Sequence, residues 1–477
     1  MASSLWDAVI LTAMNDRHKE MFEGQLEGIN WQRYAKRIEV VVDPPGTRVG
    51  SGGSTIALLQ GRRDQLDQLV LLIHSGGLAQ RTPHVSVIGK LFMLLPTGET
   101  LLERKLASYR SLPEVLPNGV MITASDVVEA LPHPLPELQY DKADVVLLSH
   151  LTTIDVAEQH GVYVVDDRDN VLVRVLQKPS RSEMEEAGVI RDAHVPTDSA
   201  FYLSAAVAGK LAGLPGTVDC EVCAYGDFLR PLGTRASKSY IEETSDPLLS
   251  KWRATLYACF KGLRAELLPC GRRSFFHFGT LKELMGHFNS GAEFSALCTA
   301  QQGVTWRHKL YTTGKVEMDE SFVEYCCLAD GSQIGDSSLV SNVECSRPVS
   351  LPSNLLIFST PVIRSGSRGV VTVIIGLLDY LKAIREEGVV WTGIRTGIKG
   401  CSLWDAKLFR MAETREESLL LSLDGYNRAT ALQKVETGDD LWSIAEVVAH
   451  ADARALSAWR RTVRKAAEEA DGREVKN

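Results

Sequence analysis

The chain carries a succession of short, nearly uninterrupted apolar runs, and few folds can accommodate them. WDAVILTA (6–13), IEVVVD (38–43), LVLLIH (69–74), VMITASD (120–126), ADVVLLSH (143–150) and GVYVVD (161–166) each have strand length and end at a polar or glycine-bearing break. A strand that does not alternate polar with apolar residues has both faces covered, which is the habit of parallel sheets flanked by helices. The stretch from Ser54 to Leu69 reads as one such helix, with Ile56, Leu59, Leu66 and Leu69 on its buried face. An α/β domain with a mainly parallel sheet is therefore expected. Ligands of such sheets gather outside the carboxyl ends of the strands, where the glycine-rich loops and Asp126 fall.

From about residue 290 the pattern changes. Phe322, Leu328, Ile334 and Val340 recur every six residues, and Val343, Val349 and Leu355 resume the period after a three-residue slip. Six residues match one side of a triangular coil, so a hexapeptide parallel β-helix is expected, with an ordinary β-rich domain as the alternative. Charged, Trp-bearing helices over 439–470 close the chain, and DGREVKN is expected to fray. The division that follows is a catalytic domain at 1–287, a β-helix domain at 288–410 and a helical tail at 411–477.

Composition excludes several classes of function. A formal charge of −8 makes a nucleic-acid backbone a poor partner, so any anionic ligand must be met by local cations. Membrane spans need about 18 uninterrupted apolar residues, and no run reaches that. The N-terminal MASSLWDAVILTA lacks a basic region ahead of its apolar stretch and reads as a strand rather than a signal peptide. Nine cysteines without a framework spacing point to reduced thiols and a cytoplasmic location. Cys220 and Cys223 form a lone CxxC with no second pair for zinc. Cys326 and Cys327 fit alternating β positions.

Two loops carry the chemistry. In residues 73–90 a buried strand runs into Ser75-Gly76-Gly77, followed by Arg81 and Lys90. Adjacent glycines let backbone N–H groups approach a triphosphate, while Arg81 offers a planar fork and Lys90 a point charge. The second loop runs from Asp43 to Gly50, Gly52, Gly53, Ser54 and Thr55, where Ser54 or Thr55 is expected to cap the following helix. One loop for base and ribose and one for phosphates would hold a nucleotide. The competing reading of the second loop is a tight strand–helix turn without a ligand.

Gly76-Gly77 through Arg81, with Lys90 beyond, has the GGxxxR…K spacing of sugar-nucleotide pyrophosphorylases. More narrowly, VDPPGTRVGSGGST, LLIHSGGLAQR…GK, HGVYVVD, LQKPS, CEVCAYGDFLRPLG, FFHFGT and SLWDAKLF together resemble the fucose-1-phosphate guanylyltransferase (GDP-L-fucose pyrophosphorylase) family, in the family's order. Bifunctional fucokinase/pyrophosphorylases share several of these segments, but their sugar-kinase module is missing here. The resemblance implies a Rossmann-like, GT-A-like nucleotidyltransferase domain followed by a left-handed β-helix. It implies that GTP and L-fucose 1-phosphate give GDP-L-fucose and pyrophosphate with Mg²⁺.

By the same resemblance, Gly76, Gly77, Arg81 and Lys90 handle the triphosphate and Asp126 binds the metal, its alternative being a helix N-cap. Lys178 meets the sugar phosphate, although Gln177 replaces the family's Glu. Glu221 and Asp227 are candidates for the fucose hydroxyls. His277 stands where related bacterial enzymes place a second metal Asp, so a second carboxylate ligand is not assumed. Competing expectations are a D-arabinose 1-phosphate substrate, a non-catalytic nucleotide-sugar sensor of the same fold, and a hexapeptide-repeat acyltransferase. Self-association through the β-helix or the terminal helices is a further expectation.

Overall fold

In the computed structural model, which describes residues 4–166, 171–300, 304–438 and 440–470, the apolar runs of the first half become neighbours in one sheet. In chain order the strands are β1 (Ala8–Ala13), β2 (Ile38–Val42), β3 (Leu69–His74), β4 (Gly119–Ala124), β5 (Val127–Glu129), β6 (Val145–Thr153), β7 (Gly161–Val165), β8 (Leu172–Gln177), β9 (His194–Thr197), β10 (Phe201–Ser204), β11 (Ala265–Arg272) and β12 (Phe275–His277). The main sheet has the order β2-β1-β3-β4-β10-β6-β9-β7-β8, with β11 beside β6, while β5 pairs with β12 separately. Pairing is parallel from β2 to β4 and between β11 and β6. It is antiparallel from β4 through β10 and β6 to β9, β7 and β8.

Both sheet faces are buried, as the lack of alternation requires. Ile10, Leu72, Ile122, Leu147 and Phe201 pack on one side with Ile56 and Leu59 of a helix, Val207 and Leu211 of a second, and Leu256 and Phe260 of a third. Residues of the opposite parity, including Val9, Leu11, Leu71, Ile73 and Met121, are equally buried.

The chain divides into two compact units, Met1–Gly77 with Leu102–Phe276, and Leu78–Leu101 with His277–Asn477. The boundary expected at 287 lies one helix, Leu281–Phe288, beyond this division. The segment bearing Arg81 and Lys90 clusters with the second unit, where the Arg307 N–H donates to the Pro96 carbonyl at 2.8 Å.

The second unit is built from short parallel strands in three stacks. Phe322 pairs with Leu339, Leu328 with Cys345 and Ile334 with Leu351. Serine hydroxyls bridge successive layers at a separation of 17 residues, with Ser338 N–H donating to Ser321 Oγ and Leu355 N–H to Ser338 Oγ. Phe322, Leu328, Ile334 and Val340 are buried at the positions the hexad spacing marks. Val343 and Leu355 are buried in the same core and Val349 packs against it, while strand pairing sets Cys345 and Leu351 on Leu328 and Ile334 because the layer is one residue shorter than three hexads; Asn342 lies at the turn with φ 59°. A long hairpin, Leu355–Arg364 with Ser367–Gly376, follows the stacks.

Helices Arg415–Leu432, Ile444–Ala449 and Ala453–Ala470 end the described chain, and DGREVKN lies outside the described residues. Arg460 from the last helix is buried against Glu324 (2.8 Å) and the Asn342 side chain (3.1 Å). Among the described residues no helix is long and apolar enough to cross a membrane.

Ile334→Ala should cost about 2–5 kcal/mol, because the cavity opens between stacked layers that cannot close on it. Urea unfolding of the full chain measures this. A loss below about 0.5 kcal/mol would be the behaviour of a surface position instead.

Candidate active site

Parallel pairing from β2 to β4 brings Asp43, Ser75, Gly76 and Asp126 to one edge, just past the carboxyl ends of their strands. Asp43 is tied there by its N–H to the Ala13 carbonyl (2.8 Å). Its carboxylate accepts from Ser54 Oγ at 2.5 Å, and burial raises its pKa. Ser75 Oγ donates to the Thr12 carbonyl at 2.6 Å, while Thr12 Oγ1 accepts from the N–H groups of Ser75 (3.0 Å) and Gly76 (3.2 Å). A Cβ on Gly76 would run into the Asp43 carboxylate, whereas one on Gly77 would meet open space. The two glycine loops thus converge, and Gly76 is required by their contact.

The second loop differs from its expected form. The helix begins at Gly50 and runs to Gln60, so Gly50, Gly52 and Gly53 form its first turns; Ser54 and Thr55 lie inside it and do not cap it. The cause is the 218–224 segment lying against that turn. Gly52 N–H donates to the Val222 carbonyl at 2.8 Å, and Ala224 N–H donates to Ser51 Oγ at 2.9 Å. Side chains at Gly50 or Gly52 would strike Val222, and one at Gly53 would strike Val49 and Val218. Thr55 sits 2.9 Å from His74 Nε2, whose pKa burial lowers to about 4.

Asp126 occupies the turn between β4 and β5, with Ser125 N–H donating to the His74 carbonyl at 3.0 Å. VVE after it is a strand, so Asp126 caps no helix. Lys178 reaches the same level of the sheet by register. Ile122, Phe201 and Leu147 are aligned; three residues past Leu147, His150 pairs with Thr197, Thr197 with Val162, and the adjacent Gly161 with Gln177. Lys178 then turns out of β8 with φ 48°, its N–H donating to the His160 carbonyl at 3.0 Å.

Between these positions lies a group of residues that the motifs did not single out. Asp198 is 3% exposed, and its Oδ1 accepts from the Gly161 N–H at 2.9 Å. Burial pushes its pKa up to about 6 against the opposing pull of that bond and of the Lys178 charge. Asp198 Oδ2, the Tyr225 hydroxyl and Gln177 Oε1 are buried without a hydrogen-bond partner among the described residues. Tyr225 lies in a π-helical turn, Ala224–Phe228, its ring edge-on to Phe201 at 5.6 Å. It is close enough to feel both Asp126 and Asp198 electrostatically. Buried polar atoms usually find partners, and π turns recur at functional sites, so these three atoms mark a polar recess. An aspartate inside the otherwise apolar run VPTDSAFYL was the available signal.

Other expected positions have local partners. Asp227 is 1% exposed and accepts from Arg253 (2.9 Å), Arg230 (3.4 Å) and the Cys223 N–H (2.8 Å). Glu221 is exposed and pairs with Arg48 at 3.6 Å. In the second unit, Arg81 is exposed and Lys90 opens a short 3₁₀ turn after Gly89. His277 Nδ1 lies 3.0 Å from Glu283 at the Thr280-capped start of a helix. That pairing helps hold Glu283 down to about 2, against the opposing effect of its burial. All nine cysteines are free, and Cys223 Sγ accepts from the Gly226 N–H.

An α/β sheet with glycine loops, a carboxylate and a lysine at its carboxyl edge defines a nucleotide-handling class of protein. The fucose pyrophosphorylase domain family matches residues 64–422, and the chain belongs to that family. It is 27% identical to the fucose-1-phosphate guanylyltransferase of Mus musculus, over 96% of this chain and 93% of the relative. The Homo sapiens fucose-1-phosphate guanylyltransferase is also 27% identical, over 96% and 90%. A bifunctional fucokinase/GDP-fucose pyrophosphorylase of Arabidopsis thaliana is 23% identical over 70% of this chain and 36% of its own length.

Asp198 generates a pH prediction. The native carboxyl keeps its proton up to about pH 6, while an aspartate in water loses it near 3.8. The native state therefore binds more protons between those values, and its stability falls as pH rises through about 6. Asp198→Asn keeps an acceptor for Gly161 and cannot ionise, so it should be more stable than the parent at about pH 7.5, with the gain vanishing near about pH 4. Urea unfolding across pH checks this; parallel profiles for the two proteins would remove burial as the cause.

Proposed function

We propose that the protein transfers GMP from GTP to L-fucose 1-phosphate, giving GDP-L-fucose and pyrophosphate. The observation that carries this reading is membership of the fucose pyrophosphorylase family together with the full set Gly76, Gly77, Arg81, Lys90, Asp126 and Lys178. In-line transfer to a sugar-phosphate oxygen needs no enzyme nucleophile. The enzyme must bring two anions together and offset the charge that builds at the α-phosphorus and on the departing pyrophosphate.

In this reading the N–H groups of Gly76 and Gly77, with Arg81 and Lys90, receive the triphosphate. Ser54 and Thr55 act through Asp43 and His74 to fix the edge of the nucleotide loop. Lys178 takes the sugar phosphate. Asp198, Gln177 and Tyr225 offer hydroxyl-binding atoms beside it, and Glu221 remains a candidate at the rim. Asp227 is assigned to holding the 224–228 turn, given its two arginines.

Mg²⁺ suits the donor chemistry. The ion commonly takes one or two carboxylates with phosphate oxygens and water, and Asp126 supplies a hard oxygen where the phosphates would lie. Among the described residues no cluster of three or more ligating side chains occurs. When bound, Mg²⁺ would neutralise phosphate charge. We further infer that the stacked strands form a left-handed β-helix and that the free thiols fit a cytoplasmic location.

Pyrophosphate release, scanned over nucleoside triphosphates against sugar 1-phosphates, tests the assignment. GTP with L-fucose 1-phosphate should be preferred; preference for D-arabinose 1-phosphate would revise the sugar, and no turnover with any pair would favour a sensor. Arg81→Ala should slow synthesis and pyrophosphorolysis alike by roughly 10²–10³, since one contact strengthened in the transition state is worth about 2–4 kcal/mol.

Lys178→Ala should leave calorimetric GTP binding nearly unchanged and cut kcat/KM for fucose 1-phosphate by roughly 10²-fold. Lys90→Ala should weaken GTP first. Equal loss of GTP affinity in both variants would reject the separate anion sites.

A further inference from the structure

Lys105 is fully buried, and so is the Glu129 carboxylate that faces it at 3.1 Å. The same ammonium donates to the Val127 carbonyl at 2.8 Å and lies 3.5 Å from the Tyr109 hydroxyl. Tyr109 in turn meets Thr123 Oγ1 at 3.0 Å, and Thr123 reaches Glu129 Oε1 at 3.5 Å. Lys105 belongs to the helix Leu101–Ser108, Thr123 to the end of β4, and Val127 and Glu129 to β5. One buried cation therefore ties a helix directly to the β5 side of the turn that carries Asp126, and through Tyr109 to Thr123 on the β4 side.

Such a pair is a poor device for stability alone. Desolvating an ammonium and a carboxylate is costly, and apolar residues of similar volume would often pack the same helix equally well. Apolar residues could not grip the carbonyl next to Asp126, nor place a fixed charge behind it. Asp126 lies within electrostatic reach of Lys105. Outer groups that orient metal-binding side chains are tuned in this way.

We propose that Lys105 is a positioning residue for the metal: through Val127 and Glu129 it fixes the β4–β5 turn so that Asp126 is held in its metal-binding place. This rests on the reading of Asp126 as a metal ligand. Lys105 touches no substrate and acts only through the turn.

The test uses the full chain with GTP and follows Mn²⁺ binding by electron paramagnetic resonance, a readout independent of turnover. Lys105→Met removes the cation. Because that leaves a buried carboxylate alone, the double variant Lys105→Met/Glu129→Gln is measured beside it, with its folding checked by circular dichroism. Loss of an orienting partner typically weakens metal binding about 10–100-fold, and the double variant should fall in that range. Its half-saturating Mg²⁺ concentration should rise while KM for fucose 1-phosphate stays near that of the parent. A folded double variant with parental Mn²⁺ affinity overturns the proposal. Asp126→Asn separates the two levels. If it loses Mn²⁺ while the double variant does not, the positioning role fails alone. If it binds Mn²⁺ normally, the metal reading fails and the positioning role fails with it.

Discussion

The edge that carries the candidate site depends on one constraint, the in-register parallel pairing of β1 with β2 and β3, and of β3 with β4. Parallel strands all deliver their carboxyl ends to the same side, so segments far apart in the chain arrive together. Asp43, Ser75 and Asp126 share an edge for this reason. The pairing in turn requires both faces of the strands to be covered, which is why Leu71, Leu72, Ile73, Met121 and Ile122 are buried whichever way they point. A one-residue slip would exchange those faces with little change in burial, so register must be fixed elsewhere. The cross-ties at the strand ends, from Thr12 to Ser75 and Gly76 and from Asp43 to Ala13, supply that fixing at the same edge where a ligand would bind.

The polar groups at this edge fall into two kinds. Lys105, Glu129, Tyr109 and Thr123 satisfy one another, as do His150, Ser199 and Ser274, with serine hydroxyls 2.7 Å from each ring nitrogen of His150. Asp198 Oδ2, Gln177 Oε1 and the Tyr225 hydroxyl do not find partners among the described residues. An unpaired buried polar group costs about 1–3 kcal/mol, and a fold that only needed stability would shed it. The unsatisfied atoms are therefore the ones that stability does not account for, whereas the Lys105 and His150 groups are satisfied within the fold.

Much of this was legible from spacing, and the exceptions have physical causes. Apolar runs without alternation gave the buried strands, and the position of Asp126 at a strand end followed from them. In the antiparallel half, β10 and β7 read much like the parallel strands because burial on both faces erases the distinguishing alternation, whereas β9 and β8 are covered on one side only in part. Gly50, Gly52 and Gly53 look like a phosphate loop, yet they are small because Val222 and Val218 press against them. Glycine composition reports close approach without naming what approaches. Asp198 escaped because it belongs to none of the motifs, and Tyr225 because nothing inside CEVCAYGDFLRPLG marks it; only their missing hydrogen bonds, visible in three dimensions, single them out.

The second unit shows the same limit from the other side. Hexad spacing foresaw buried Leu328, Ile334 and Val340 in the core that the layers share, and a buried Phe322, which packs on Phe288 while Val323 takes the inward place. It did not foresee the 17-residue ties through Ser321 and Ser338, because a serine in a β-rich segment carries no periodic apolar signal. Nor did it foresee that Leu78–Leu101, with Arg81 and Lys90, clusters with this unit rather than with the strand that precedes it. The segment follows the apolar surface it buries, and Val85, Ile88, Leu91 and Phe92 are all buried. Val85 and Ile88 stand between Arg81 and Lys90, so the buried apolar residues are interleaved with the cations of the signature, and the spacing GGxxxR…K records only the cations.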